Sequence, residues 1–285
     1  MGTIYTDRDT VKTALQIPSS STGDHAALDL AQEAVARLID TYVGFPFYPT
    51  SDTLYFTPLT STGLNLNEPV LAIDAIDMDF HGAGTSYDTS MSTACYYFEP
   101  YNAQNQSPPQ PYWKLDTRWS ATMVFPAGIK HSVRIKGTWG YYNSLTPSSA
   151  TLATDIAAGA TTIQLNFATA LHVGNTILMG SERMTVTRTP ASSTAGHTST
   201  IDVLRGVNGS SGATHSCATA IQVYTYPVVD QAAQFQVTQD YRAKDAPLGF
   251  TGGEPFGTQQ PRVTPAGLHP FTRRSLDGFR KPVAV

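Results

Sequence analysis

Charge is what this 285-residue chain has least of: 14% of its residues are Asp, Glu, Lys or Arg, against ~25% in an ordinary soluble domain. The net charge of −4 supplies no general attraction to nucleic acid, whose binding needs a local basic excess. Cysteine is nearly absent. Cys95 and Cys217 are far apart and show no metal-ligand spacing, so a disulfide framework and a zinc site are excluded and both read as free thiols. There is no secretory signal pattern and no apolar run near the ~18 residues that a membrane helix needs. A soluble protein made in a cytoplasm, with no membrane partner, is expected.

Catalytic motifs are missing too. Gly180-Ser181-Glu182 and Gly209-Ser210-Ser211-Gly212 set serines beside glycines without the spacing of a nucleophile elbow, and read as turns. Gly82-Ala83-Gly84 has neither the lysine nor the following helix of a phosphate loop. Asp74, Asp77 and Asp79 do not all share one side of a regular strand, and the histidines at 81, 131, 172, 197 and 215 have no ligand spacing. No enzymatic activity, metal or cofactor is expected.

What the chain does have is one long helical period. In Asp24–Val43, Ala27, Leu30, Ala31, Ala34, Val35, Leu38, Ile39 and Tyr42 recur at three- and four-residue spacing and predict one buried stripe. Asp29, Gln32, Glu33, Arg37 and Asp40 fall on the opposite, solvent-facing side. Asp24 is placed to cap the helix and Gly44 to end it. A short capped helix, read from Thr6-Asp7-Arg8-Asp9 followed by Val11, Ala14, Leu15 and Ile17 and stopped by Pro18, precedes it.

From Asp52 to Gly140 the period is close to two, with strands at Leu64–Asn67, within Val70–Phe80, at Tyr96–Phe98, Trp113–Leu115 and His131–Trp139. A phase change between Ala75 and Ile76 predicts a bulge. From about Ser144 to Thr225, Thr, Ser, Ala and Gly dominate, and short strand-like runs between turn signals predict a small all-β module. Helical period returns at Pro227, where Val229, Ala233, Val237 and Tyr241 stack at four-residue spacing. After Phe250 no period is evident among the glycines and prolines, so an extended arm is expected. The layout read from the chain is a helix-and-strand domain at 1–143 and 226–249, an inserted β-rich domain at 144–225 and an arm at 250–285.

Ile39-Asp40-Thr41-Tyr42-Val43-Gly44-Phe45-Pro46-Phe47, Phe125-Pro126-Ala127-Gly128, Val133-Arg134-Ile135-Lys136-Gly137-Thr138-Trp139-Gly140-Tyr141, and the late Tyr241-Arg242-Ala243-Lys244-Asp245-Ala246-Pro247-Leu248-Gly249, in that order, resemble the head-tail connector (adaptor) proteins of tailed bacteriophages. The resemblance covers roughly the first half of the chain and the late helix. The segment 177–215 is similar to a small β module within other phage structural proteins and interrupts the connector pattern.

The resemblance implies an α+β fold: a helical connector domain with a β layer, plus an all-β inserted domain and an extended C-terminal arm. It also implies a homo-oligomeric ring, typically twelve-fold, in the virion neck. There it would join the portal protein to a tail-side neck or tail terminator protein and let packaged DNA pass. Phe271, Arg273, Arg274, Phe279, Arg280 and Lys281 are the expected portal or neighbour-subunit contacts, since Arg and aromatic residues anchor interfaces. Lys130, Arg134 and Lys136 are candidates for a DNA-channel face. The competing expectation is a virion-surface binding or decoration protein that uses the inserted β domain.

Overall fold

The computed structural model describes residues 3–82, 84, 86–106, 109–119, 121–141, 144–166, 171–190, 198–243, 250–251, 262–263 and 267–280. The chain divides into two compact units, residues 1–44 with 144–285, and residues 45–143.

In the first unit Asp7 caps helix α1 (Arg8–Leu15), accepting from the Thr10 amide, and Gln16 ends it in the left-handed conformation. Helix α2 (His25–Val43) ends at Gly44, whose φ of 96° suits glycine. The Asp24 side chain makes no cap hydrogen bond, contrary to expectation. Helix α3 (Pro227–Ala243) packs on α1 and α2 and buries Val229, Ala232, Ala233 and Val237, the stripe its four-residue spacing predicts.

Between α2 and α3 in sequence lies a closed barrel of six strands: β7 (Ser144–Leu152), β8 (Thr162–Asn166), β9 (Thr176–Met179), β10 (Glu182–Arg188), β11 (Thr198–Leu204) and β12 (Ala220–Thr225), in the order β10-β11-β8-β7-β12-β9. Alternation builds it. Ile163 and Leu165, Ile201 and Val203, and Met184 and Val186 point into one core, and closure removes the free edges a small open sheet would expose. The segment Thr3–Asp7 ties barrel to helices within this unit. The Thr3 hydroxyl bonds Asn208, Arg37 donates to the Thr3 carbonyl, Gln32 donates to that of Thr6, and Tyr5 packs edge-on against Tyr226. Gly174 suits this place by its φ of 99°, and a Cβ there would also crowd Ile4 Cδ1 at 2.2 Å.

The second unit is an antiparallel sheet of β1 (Thr50–Phe56), β2 (Gly63–Met78), β4 (Tyr96–Glu99), β5 (Tyr112–Thr117) and β6 (Val133–Trp139), ordered β1-β6-β2-β5-β4, with the short β3 (Thr89–Ser90) on β2. Val133, Ile135 and Trp139 face a core with Phe56, Leu64, Ile76, Met78 and Leu115. β2 is one long strand rather than two. Its register against β6 slips between Ile73 and Ala75, just before the phase change in the sequence. Gly137 sits opposite that slip, where a Cβ would meet the Ala72 carbonyl at 2.4 Å. Asp79 is buried as an acceptor for the amides of His81, Gly82 and Gly84. Burial raises its pKa, but those donors outweigh burial and hold it below the usual range.

Three expectations are overturned. The fold is not a helical connector domain with a β layer: it is mostly β, two sheets with one closed as a barrel, and only about 25% helical. The physical reason is that helical period spans only the α1, α2 and α3 stretches, while Thr-, Val- and Ile-rich runs of period two occupy most of the rest and cover one another. The C-terminal region is not wholly an extended arm. Its described part contains a two-residue hairpin, β13 (Phe250–Thr251) with β14 (Arg262–Val263), and helix α4 (Pro270–Leu276), which continues as a 3-10 turn over Asp277–Phe279. His269 caps α4 with Pro270 in its first turn, and α4 docks on α3 through buried Leu268, Thr272 and Leu276.

The third concerns α2. Its buried residues are Leu28, Gln32, Val35, Ala36, Ile39 and Val43, so Val35 and Ile39 of the expected stripe lie in the core but the buried face is turned towards Leu28, Gln32 and Val43. Ala27, Leu30 and Ala34 are exposed, and Ala31 and Leu38 only half-buried. Gln32 can enter the core because its amide nitrogen bonds the Thr6 carbonyl.

Candidate interaction surfaces

A cluster of buried charges closes one end of the barrel. Glu182 is fully buried, with Arg205 and His215 less than a tenth exposed. Arg205 grips the carboxylate with two bonds, Nε to Oε1 and Nη2 to Oε2, each 2.6 Å, the bidentate geometry that favours arginine. The amides of Gly206 (3.1 Å) and Ala213 (2.9 Å) and His215 Nε2 (2.9 Å) complete the shell. The other guanidinium donors reach the carbonyls of Ala157, Ala160 and Ala213, so all five guanidinium N–H groups are used. Burial raises the Glu182 pKa, but the Arg205, Ala213 and His215 donors outweigh it and bring it down to about 2. A carboxylate whose acceptor capacity is filled by its own chain has nothing to offer a substrate. The cluster ties the β7–β8 loop, the β9–β10 turn and the β11–β12 loop together. Sequence reasoning placed Ser181-Glu182 in a turn and left His215 unassigned, because nothing in the spacing joins residues 23 and 33 positions apart.

Asp7, Asp9 and His172 bring ligand atoms within 4.8 Å of one another. Their bonds are internal, however: Asp7 caps α1 and Asp9 accepts from His172 Nδ1 at 2.8 Å.

The two sets of residues singled out in the sequence belong to different units. On β6, Arg134 is paired with Asp77 at 2.9 Å and lies over the Tyr87 ring at 4.8 Å, while Lys130 and Lys136 are exposed. The basic face therefore amounts to two lysines. On α4, Arg273 and Arg274 are exposed, and Phe271 is part-exposed with its ring 4.8 Å from that of Phe235. Phe279 is half-buried, and Arg280 lies over the Tyr42 ring, whose hydroxyl donates to Asp277. Lys281 falls outside the described residues.

Two apolar surfaces were not anticipated. One is the outer stripe of α2, with Leu30 71% exposed among Ala27 and Ala34. The other is in the second unit, where the Pro58–Thr62 turn bonds to Thr117, Phe125 and Gly128. This brings the loops that carry Leu59, 85% exposed, Val124 and the fully exposed Trp119 to one end of the sheet.

At the β4 edge of the same sheet is a cleft of about 700 Å³, lined by Tyr96, Tyr97, Phe98, Tyr101, Tyr112 and Arg118 with amide side chains from Asn102, Gln104 and Asn105. Arg118 lies 4.3 Å over the Tyr97 ring and donates from Nε to the Tyr96 carbonyl. No family model, curated protein or solved structure matches the chain.

Proposed function

We propose that this chain is a structural virion protein, a homo-oligomeric ring in the neck that joins portal to tail and surrounds the DNA passage. The observation that carries the oligomeric part is the two-sided apolar character of α2. One stripe is buried on α3, and the other presents Ala27, Leu30, Ala34 and half-buried Leu38 to solvent. Small alanines around a projecting leucine let another surface approach closely, and the occupant we assign is a second copy of the chain. A ring needs two different complementary patches per subunit. The Leu59, Val124 and Trp119 end of the sheet is a separate apolar surface of the kind that marks an interaction site. The buried Glu182, Arg205 and His215 cluster is internally saturated, which suits scaffold rather than catalysis. The placing in a phage neck rests on the sequence resemblance.

Electron microscopy of the neck of the particle that carries this chain tests the reading. A ring beneath the portal, with α2 stripes covered by neighbouring copies, is expected; density elsewhere on the particle refutes it. The second reading, a virion-surface binding protein, is favoured by the aromatic cleft. That cleft lies in residues 45–143 rather than in the β module to which binding was first assigned.

A further inference from the structure

The β4 cleft combines three features that together specify a ligand chemistry. The first is an uncommitted cation. Arg118 spends Nε on a backbone carbonyl and one ring face on Tyr97, while its Nη1 and Nη2 groups have no hydrogen-bond acceptor among the described residues. No Asp or Glu lines the cleft, and nearby Glu99 is turned to the Tyr101 amide. The stacking and the Nε bond fix the plane of the fork without using its outer donors, so the site is preorganised for a planar, bidentate anion such as a carboxylate. The second is an open aromatic surface. Tyr101 is 68% exposed and meets Tyr97 edge-on, at 78° between planes, which leaves its own ring face accessible. The negative face of such a ring attracts polarised C–H groups, and one face of a pyranose is made of these. The third is the row of amides. Among the described residues Asn102 and Asn105 make no side-chain hydrogen bond, and Gln104 donates to Gln110 but keeps its amide oxygen. Amides both donate and accept, as sugar hydroxyls do.

We propose that this cleft binds a carboxylate-bearing saccharide, with Arg118 holding the carboxylate, Tyr101 the sugar ring, and Asn102, Gln104 and Asn105 the hydroxyls. Nucleic acid fits less well. Successive phosphates need several cations, and the lining offers only one. A cleft of about 700 Å³ is within the size range of small-ligand sites, enough for one or two sugar units. The proposal is independent of the ring reading.

The test is titration of the full-length protein with methyl β-D-glucuronide and with N-acetylneuraminic acid, followed by saturation-transfer NMR and calorimetry. Methyl β-D-glucoside, a dinucleotide and tetra-alanine serve as comparison probes. Both acids should bind with a Kd on the order of 1 mM, and the neutral glucoside about tenfold more weakly, since one charge-assisted pair is removed. R118Q should lose about tenfold for the acids and little for the glucoside. Y101A, at an exposed position that leaves the fold unchanged, should weaken all three sugars several-fold, which keeps the test decisive if R118Q fails to fold. Equal affinity for acid and neutral sugars overturns the proposal. So do indifference to Y101A, tighter binding of the dinucleotide or the peptide, and no binding of either acid at about 50 mM.

Discussion

Glu182→Gln tests whether the ion cluster is the staple of the barrel. The substitution keeps the shape of the side chain but replaces one acceptor oxygen with a donor, in a site where Arg205 Nη2, the Ala213 amide and His215 Nε2 all donate to Oε2. Whichever way the amide turns, at least one donor faces a donor, and the Arg205 guanidinium keeps its carbonyl bonds but is left buried without a counter-charge. Breaking one side of a buried pair costs about 3–5 kcal/mol. The first unit comprises residues 1–44 and 144–285, and at that size each kcal/mol moves the midpoint by ~2–4 °C, so calorimetry should show a fall of roughly 6–20 °C.

The pH dependence has a definite sign. The folded carboxyl titrates at about 2, below an unfolded value of ~4.3, so its stabilisation is complete above the unfolded value and is lost as pH falls towards 2. The shift alone corresponds to at most ~3 kcal/mol, and less after solvent screening. Glu182→Gln should therefore remove the Glu182 share of the wild type's acid sensitivity between about pH 4.5 and 2, leaving that of Asp77, Asp79 and Asp202, whose carboxyls are also held below the usual range. Replacing Glu182, Arg205 and His215 together with apolar residues should recover only part of the loss, because the Gly206 and Ala213 amides stay unpaired. A change in midpoint under ~2 °C for Glu182→Gln, with the acid limb intact, would refute the assignment.

Asp40 carries the opposite sign. Burial raises its pKa to about 6, against the pull of the Tyr5 hydroxyl and Arg37. Its contribution is best when protonated, and stability is lost as pH rises from about 4 through 6, by at most ~3 kcal/mol. Asp40→Asn keeps an acceptor for Tyr5 and should flatten that limb in chemical denaturation at stepped pH. Leu30→Glu should leave monomer stability within ~0.5 kcal/mol, as at other exposed positions, yet abolish any self-association in sedimentation velocity. Gly137→Ala should cost ~1–3 kcal/mol by overpacking, because the new Cβ would meet backbone at 2.4 Å. Unchanged urea unfolding would refute that reason for the glycine.

Much of the fold was legible where a local rule decides it. The Asp7 cap, the left-handed Gly44, the four-residue spacing of α3 and the alternation of β6 all depend on neighbours within a few positions, and the structure has each of them. The fold class was not legible, because closure of six short strands into a barrel is a pairing of residues as distant as Ser144 and Thr225. Helix α4 was missed although Pro270 in the first turn and the four-residue step from Thr272 to Leu276 were there to read. The glycines and prolines around that helix hid a run of only seven residues. The cleft could not be read at all, since Arg118 and Tyr101 meet only through the β4–β5 pairing.

The most instructive discrepancy is α2. A hydrophobic period identifies a helix but not which stripe the chain itself will bury, and α2 has two. The wider stripe, from Ala27 to Leu38, is mostly alanine, which buries little area per residue. The other, which shares Val35 and Ile39 with the stripe expected from the sequence, offers Leu28, Val35, Ile39 and Val43 to the core and admits Gln32, whose amide nitrogen bonds the Thr6 carbonyl. Burial at ~25 cal/mol per Å² favours the side with the larger residues, so the intramolecular core goes to that side whatever the count of apolar positions. The alanine side is then left for a partner. A free energy too small to organise this chain's own core can still hold two preformed helices together, since they lose no backbone entropy of folding on meeting. On that argument the sequence period misjudged the fold at α2 for the same reason that it points to a second copy.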